Sequence, residues 1–281
     1  MEVTELEDAA AGIGWYHSID LGQGVVTRGL SQNRIATEAL PDFAGRSVLD
    51  IGAWDGLYSF LAERQGASRV VALDHYVWCL DFHARQQYWD ECERQGILPD
   101  HDRDERDFWQ PETMPGRRAF DFAHQVLDSS VEPVVGDLMT IDLDALGSFD
   151  VVLYLGVLYH MREPLSALRR LRRLTRKVAV VETEAIEVPE HEDEALCAFY
   201  PGGELNRDYG NWYALSEGAL AGMCRAAGFR RVETKVGPPL LPPPPAPPIW
   251  RSTREDRENY ERVMGDRRAT LRYRIVMHAF P

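Results

Sequence analysis

The sequence contains very little lysine. Lys177 and Lys235 are its two lysines, so nearly all of the 31 basic residues are arginines, and 45 acidic residues leave a formal net charge of −14. A surface that follows the phosphates of a nucleic acid needs clustered positive charge. The composition therefore argues against nucleic acid as a partner.

Long apolar runs and a basic, apolar leader are also missing. No run approaches the roughly 18 to 20 residues that cross a bilayer, and the first twelve residues are acidic. The four cysteines, Cys79, Cys92, Cys197 and Cys224, are widely spaced and lack the pairing of a zinc site. We expect a soluble, cytoplasmic protein with reduced thiols, no metal site and no membrane association.

The 281 residues, 44% of them hydrophobic, are enough to bury a full core. From residue 47 onward, short runs rich in valine and leucine alternate with helical stretches. The predicted strands are 47–51, 70–73, 131–135, 149–154 and 178–182, and the predicted helices are 57–65, 78–95 and 164–174. Short apolar strands separated by helices are typical of a parallel sheet covered on both faces. The sequence predicts a doubly wound α/β sheet.

The pattern changes in the last third of the chain. Ser216 and Gly228 bound a predicted amphipathic helix at 216–227, as an N-cap serine and a C-terminal glycine do. Residues 230–236 and 271–280 are predicted strands. Between them, residues 238–248 are so rich in proline that they predict a stiff surface connection, with a motif for a proline-binding partner as the alternative.

A glycine-containing turn, DIGAWDG at residues 50–56, ends the first predicted strand and opens a helix. A dinucleotide site would need GxGxxG, yet Trp54 and Leu57 occupy the second and third glycine positions. Asp50 and Asp55 would also repel a phosphate. S-adenosylmethionine fits better, because it carries a cationic sulfonium and amine and no phosphate. A nicotinamide dinucleotide and a sheet without a cofactor are the alternatives.

Acidic residues also follow the next two predicted strands. Asp74 lies 22 positions beyond Gly52, where a carboxylate accepts hydrogen bonds from ribose hydroxyls. Asp137 is placed to accept a hydrogen bond from an adenine amino group, and Leu138 to cover the adenine ring. Ligands of such sheets bind at the carboxyl ends of the strands, so we expect these residues at one site.

Further motifs extend along nearly the whole chain. They are Gly156-Val157-Leu158-Tyr159-His160 with Glu163-Pro164-Leu165, Glu182-Thr183, Asn211 with Tyr213, Cys224 with Gly228-Phe229, and Trp15-Tyr16-His17-Ser18-Ile19-Asp20-Leu21 with Gly24 and Thr27. Together they resemble the class I S-adenosylmethionine-dependent methyltransferases, most of all the bacterial tRNA wobble-uridine carboxymethyltransferase family and its small-molecule relatives.

The resemblance implies a Rossmann-like sheet of seven strands with the last strand antiparallel. It implies S-adenosylmethionine as donor and S-adenosylhomocysteine as product. It assigns to the donor pocket Asp50, Gly52, Gly56, Asp74, Asp137, Leu155 and Tyr159. We expect a single methyltransferase domain over 1–281, with an N-terminal lid at 1–45, a donor-binding core at 46–187 and the rest of the sheet at 188–281.

Two stretches would be additions to that sheet. One is the lid, and the other is an insertion at about 95–118, between the second and third strands, which contains three prolines and Trp109 among many charges. The insertion is predicted to form either a wall of the substrate site or a plain surface excursion.

The sequence departs from the tRNA-modifying members of that family. Those members bind the extra carboxylate of a carboxylated donor through a tryptophan and lysines ahead of the first strand. Here the stretch reads Thr27-Arg28-Gly29-Leu30-Ser31-Gln32, in which Arg28 is able to pair with a carboxylate. We therefore expect ordinary S-adenosylmethionine as donor, and the acidic charge argues against a tRNA substrate.

Methyl transfer to oxygen or nitrogen requires a group that takes the proton of the acceptor, and histidine suits that role near neutral pH. The candidate bases are His160, His17 and Glu182. Each has a structural alternative: His160 could cap a helix, His17 could hold the lid in place through a polar contact, and Glu182 could orient a histidine.

The predicted substrate-binding residues are Tyr16, Arg28, Asn211, Trp212 and Tyr213. The histidines predicted at the surface or a sheet edge are His75, His83, His124 and His278.

The leading hypothesis is an enzyme that transfers methyl from S-adenosylmethionine to an oxygen or nitrogen of a small metabolite, in natural-product tailoring. One alternative is a tRNA wobble-uridine (carboxy)methyltransferase. The other is a donor-binding scaffold without catalysis that uses residues 238–248 as a partner motif. No oligomeric state is predicted.

Overall fold

A computed structural model of the chain describes residues 2–31, 35, 37–189, 191–238 and 270–281. Residues 239–248 of the predicted proline-rich connection lie outside the described residues. In the described ranges, no helix is both long enough and apolar enough to span a bilayer.

The strands of the sheet alternate with helices in its first two thirds. The strands are β1 (Ser47–Ile51), β2 (Arg69–Asp74), β3 (Glu132–Val135), β4 (Phe149–Leu155), β5 (Thr175–Glu187), β6 (Cys197–Phe199), β7 (Tyr213–Leu215), β8 (Arg231–Val236) and β9 (Leu271–Phe280). The α-helices are α1 (Val3–Ala11), α2 (Leu57–Arg64), α3 (Tyr76–Cys79), α4 (Phe82–Gln95), α5 (His101–Asp107), α6 (Arg118–Val126), α7 (Leu143–Leu146), α8 (Pro164–Leu174) and α9 (Glu217–Ala226).

The centre of the sheet is parallel. β3, β2, β1, β4 and β5 lie side by side in this order and pair in parallel. β9 pairs with β5 in the antiparallel direction, and β8 is antiparallel to β9. These strands form the predicted doubly wound sheet with an antiparallel last strand, so the predicted fold class is confirmed.

The described sheet has nine strands, whereas seven were predicted. β5 continues to Glu187 instead of ending at residue 182, and its far end pairs with β7 at Ala185 and Leu215. β7 in turn pairs with β6. Each of these two added strands has three residues, which is too short for an alternating pattern to reveal it in the sequence.

The structure divides the predicted helix 78–95 into α3 and α4. Asp81 is the N-cap of α4, because its side chain accepts a hydrogen bond from the backbone N–H of Ala84 (3.0 Å), and Leu80 before it is extended. The predicted insertion contains α5. It leads into α6, whose buried Phe120 and Ala123 face the core.

An apolar core covers each face of the sheet. On one face, α2, α6 and the N-terminal segment pack with residues such as Phe43 and Val48. On the other face, α8 and α9 pack with residues such as Leu49 and Leu168. Val48 and Leu49 are consecutive residues of β1, and they lie on different faces of the sheet because neighbouring side chains of a strand point in opposite directions. With both faces covered, polar groups for a binding site gather at the strand ends.

Candidate active site

A cavity of about 620 Å³ lies at the carboxyl ends of β1, β2 and β4. The predicted site residues that line it are Tyr16, His17, Asp50, Gly52, Asp74, Asp137, Leu138, Leu155, Tyr159, His160, Glu182 and Trp212. Those that lie outside the lining are Arg28, Gly56, Asn211 and Tyr213. The topology therefore brings together residues that are up to about 200 positions apart in the chain.

The turn after β1 comes close to the cavity because of Gly52. Its φ is +78°, and a Cβ atom there would lie 2.5 Å from Cγ2 of Val157. Gly56, in contrast, is the N-cap of α2 with a φ of +87°, and a Cβ atom there would meet the rings of Phe60 and Phe120. Gly52 shapes the cavity, and Gly56 shapes the start of the helix.

Asp50 and Asp74 are buried carboxylates at the ends of β1 and β2. Asp50 accepts a hydrogen bond from Oγ of Ser59 (2.7 Å), and Asp74 accepts hydrogen bonds from the backbone N–H groups of Trp54 (2.9 Å) and Val77 (3.0 Å). Burial raises the pKa of each carboxyl group to about 6. Within the described part of the chain, neither forms an ion pair with a lysine or arginine.

The chemistry of these carboxylates fits a cationic ligand. The sulfonium and ammonium groups of S-adenosylmethionine would favour the ionised carboxylates, whereas a dinucleotide would bring phosphates toward them. Asp137 and Leu138, just after β3, add an acceptor and a buried apolar side chain. Asp137 is held in place because its Oδ1 accepts a hydrogen bond from the backbone N–H of Met139 (2.9 Å).

His17 is bound to an aspartate in the glycine-containing turn. Its Nδ1 lies 2.6 Å from Oδ1 of Asp55, and Oδ2 of Asp55 accepts hydrogen bonds from the backbone N–H groups of Tyr16 (3.0 Å) and His17 (2.6 Å). Asp55 is fully buried, and the ring of Tyr16 stacks on Trp54 at a centroid distance of 3.8 Å. Sequence reasoning missed this role of Asp55, although an acidic residue between the two glycines of the turn was a signal for it.

His160 lies in a short 3-10 turn after β4. Its Nδ1 is 2.9 Å from the carbonyl oxygen of Gly210, so Nδ1 carries the proton of the neutral ring and Nε2 is an acceptor. Burial lowers the pKa of His160, although the charge of Asp208 acts in the opposite direction. The environment therefore favours the neutral ring.

The carboxylate of Glu182 is paired with Arg274 of β9. The guanidinium group donates through Nε and Nη2 to Glu182 and through Nη1 to Oε1 of Glu184 (2.9 Å). It also lies 4.9 Å from the ring centre of Tyr159, whose pKa burial raises to about 12. Both oxygens of the Glu182 carboxylate are thus engaged by Arg274, and the two residues form an ion pair in the cavity lining, which we call the cavity floor. Sequence reasoning missed Arg274, which was visible as a charged residue in an apolar strand.

The remaining wall combines aromatic and polar residues. Tyr76, Arg85, Trp109, Asp208 and Trp212 all line the cavity. Trp109 belongs to the insertion, which therefore supplies part of the wall. The guanidinium of Arg85 lies 4.2 Å from the ring centre of Trp89, within an aromatic cluster. No group of three or more His, Cys, Asp or Glu side chains in the described residues is arranged to hold a metal ion.

Other predicted polar residues have structural contacts. Asn211 is buried outside the lining, and its side-chain amide donates to the carbonyl oxygen of Leu205 (2.9 Å). Arg28 is exposed. Two histidines predicted at the surface or a sheet edge are placed differently: His75 lines the cavity, and His278 is buried with Nε2 2.8 Å from the carbonyl oxygen of Ala39.

A parallel sheet with an antiparallel last strand, and a glycine turn and acidic residues at its carboxyl edge, define a class I S-adenosylmethionine-dependent methyltransferase. The chain belongs to the methyltransferase domain family, whose model matches residues 27–234. The predicted class and the predicted donor, S-adenosylmethionine, are thereby confirmed.

Among curated proteins, the chain is similar to tRNA U34 carboxymethyltransferases. It is 26% identical over 192 residues to that of Alteromonas mediterranea and 28% identical over 189 residues to that of Pseudomonas putida strain GB-1. Each match covers 67% of this chain and 46% of the relative. The chain thus spans about half the length of these curated relatives.

Among solved structures, the N-terminal domain of EvdMO1 shares the fold. The structure with SAH bound has a TM-score of 0.58 and 18% identity, and covers 100% of this chain and 97% of that one. The structure in the presence of SAH and D-fucose has a TM-score of 0.57, 17% identity and the same coverage. At this identity the likeness concerns the fold.

Proposed function

We propose that this protein transfers a methyl group from S-adenosylmethionine to an oxygen or nitrogen of a small-molecule acceptor, in natural-product tailoring. The observation that carries the proposal is the wall beside the donor residues, where Tyr76, Trp109 and Trp212 offer flat apolar surfaces and Arg85 and Asp208 offer polar atoms. A compact cyclic acceptor suits such a wall. The presence of D-fucose in a structure of EvdMO1 supports a hydroxylated acceptor of this size.

When bound, S-adenosylmethionine supplies an electrophilic methyl group on a positively charged sulfur. Ionised Asp50 and Asp74 would favour a cationic ligand, Asp74 would also hold the ribose hydroxyls, and Asp137 would hold the adenine amino group. The enzyme then gains rate by aligning the acceptor and excluding water. A histidine, His160 or His17, takes the proton that the acceptor loses.

The cavity floor supports ordinary S-adenosylmethionine over a carboxylated donor. A carboxylated donor needs a cation for its extra carboxylate. Arg274, next to Gly156 at the end of β4, is already paired with Glu182 and Glu184. Arg28, the residue that the sequence suggested for this role, is exposed and lies outside the cavity lining, and Arg85 of the lining is packed among the aromatic rings of the acceptor wall.

A tRNA substrate is the second candidate, since the matched curated relatives are tRNA U34 carboxymethyltransferases. The net charge of −14 and the two lysines count against it, because tRNA binding depends on many cationic contacts with phosphates. A small acceptor needs no such surface.

Incubation with S-adenosylmethionine labelled in its methyl group separates these candidates. The full-length protein is given sugars, phenols and amines in one arm and unmodified tRNA in the other, and label is counted in each product. We expect label in a small molecule, lost in Asp74→Asn and kept in Asp144→Asn, a control at an exposed residue of α7. Transfer of label to tRNA that decreases with rising salt concentration, with no label in any small molecule, would reverse the assignment.

A further inference from the structure

Three histidines, His17, His75 and His160, line the cavity, and the two predicted as candidate bases, His17 and His160, have partners that differ in charge. His17 pairs through Nδ1 with the buried carboxylate of Asp55, and His160 pairs through Nδ1 with a backbone carbonyl of Gly210. From this difference we infer that His17 is the catalytic base and that Asp55 is its positioning residue. The inference rests on the proposed methyl transfer.

A base becomes a cation when it takes a proton, so the charge of its surroundings decides which histidine is suited to the role. Oδ1 of Asp55 is 2.6 Å from Nδ1 of His17 and stabilises the imidazolium directly. The carbonyl of Gly210 is neutral, and burial lowers the pKa of His160, although the charge of Asp208 acts in the opposite direction. His17 therefore has a carboxylate in direct contact with its ring, whereas the direct partner of the His160 ring is a neutral carbonyl.

The same hydrogen bond sets the tautomer of His17. A carboxylate oxygen accepts and does not donate, so Nδ1 carries the proton and Nε2 is the basic nitrogen. In the reaction, the O–H or N–H bond of the acceptor breaks and its proton bonds to Nε2. The acceptor atom bonds to the methyl carbon with its own electron pair, and the pair of the carbon–sulfur bond passes to sulfur.

His17 also lies at the donor end of the cavity. It is close enough to Asp50 for its charge to oppose the rise in the pKa of that carboxyl group. Its neighbour Tyr16 stacks on Trp54 and lies within electrostatic reach of Tyr159 after β4. His17 therefore lines the cavity beside the turn after β1.

Asp55 binds more than the imidazole ring. Its Oδ2 also accepts hydrogen bonds from the backbone N–H groups of Tyr16 and His17. One buried carboxylate therefore both holds the N-terminal segment against the turn and orients the base. The base is therefore complete when the segment is docked. His160 is assigned a different task, in which it fixes the loop of Gly210 beside Trp212, whose backbone N–H donates to the carbonyl of Tyr159 (2.8 Å).

Asp55→Asn tests this assignment with little change in shape. The asparagine oxygen can still accept the backbone N–H groups, but its NH2 group would face Nδ1 of His17. Nδ1 must then accept, the proton moves to Nε2, and the base is lost. We expect turnover to fall by about 10² to 10⁴-fold in Asp55→Asn and in His17→Asn. Affinity for S-adenosylhomocysteine, measured by calorimetry, should change by less than about threefold.

The control is Asp20→Asn, an exposed change on the same segment. His160→Asn tests the competing candidate base and is expected to keep more than a tenth of the turnover. Nitrogen-15 NMR of the histidine rings, in full-length protein with S-adenosylhomocysteine, should show His17 protonated on Nδ1 in the wild type and on Nε2 in Asp55→Asn.

The outcomes separate the two proposals. If the wild type is active and His160→Asn abolishes turnover while His17→Asn and Asp55→Asn retain it, the assignment is overturned and methyl transfer stands. If the wild type methylates no acceptor, the proposed function fails. The NMR result then decides the pairing by itself, since His17 protonated on Nε2 in the wild type would overturn it. A melting temperature close to that of the wild type shows that each variant is folded.

Discussion

Affinity for the donor should depend on pH because of two buried carboxylates. Asp50 and Asp74 have pKa values raised by burial from 3.8 to about 6 in the free protein. A cationic donor favours their ionised forms. Lowering the pH through 6 protonates both groups, so the donor must displace protons in order to bind, and its affinity falls.

The size of the effect follows from those pKa values. At pH 7.5 a group with a pKa of about 6 is almost fully ionised, and at pH 5 about one molecule in eleven is ionised. The dissociation constant should therefore rise about tenfold between pH 7.5 and pH 5 for each carboxylate that the donor needs, and up to about a hundredfold for both.

The free protein should show the opposite trend in stability. Each carboxyl group has a higher pKa in the folded chain than in the unfolded chain, so its contribution is fully present below pH 3.8 and is lost as the pH rises through about 6. A shift of this size corresponds to about 3 kcal/mol per group as an order of magnitude. Donor binding offsets this loss.

Calorimetry with S-adenosylmethionine between pH 5 and pH 7.5 measures the effect, and two buffers of different ionisation enthalpy count the released protons. Asp50→Asn and Asp74→Asn should each remove about one factor of ten from the pH dependence, while Asp144→Asn should leave it unchanged. A dissociation constant that is flat across this range, or an affinity that improves as the pH falls, would refute the reasoning.

Three other changes test the floor and the donor pocket. Arg274→Met leaves the buried carboxylates of Glu182 and Glu184 without their ion pair and should lower the free energy of unfolding, measured in urea, by about 3 to 5 kcal/mol. Exposed Arg272→Met should lower it by less than about 0.5 kcal/mol, and equal losses would contradict the pairing. Gly52→Ala, strained at φ +78°, should weaken S-adenosylhomocysteine binding at least tenfold, whereas Gly222→Ala within α9 should not. Asp137→Asn should weaken the binding of S-adenosylhomocysteine about tenfold but leave the binding of its hypoxanthine analogue, which lacks the amino group, nearly unchanged. A similar loss of affinity for both ligands would place Asp137 away from that amino group.

Regular elements of this fold could be predicted closely where local signals were strong. The predicted bounds of β1, β9 and α8 agree with the structure, since each has a clear apolar pattern and a polar, proline or chain-end boundary. The short strands β6 and β7 and the break at Asp81 were not predicted. Three residues carry too little periodicity, and a cap inside a helical pattern is hard to distinguish from an ordinary helical aspartate.

For the site, local sequence was sufficient to place Asp50, Asp74 and Asp137 at one cavity, because in a parallel sheet the residues that follow successive strands reach one edge. It was not sufficient to pair Glu182 with Arg274, 92 positions away, or His17 with Asp55, 38 positions away. Such partners depend on how an antiparallel last strand and an N-terminal segment pack against the sheet. Burial then sets the protonation of each group, and burial is a property of the whole fold.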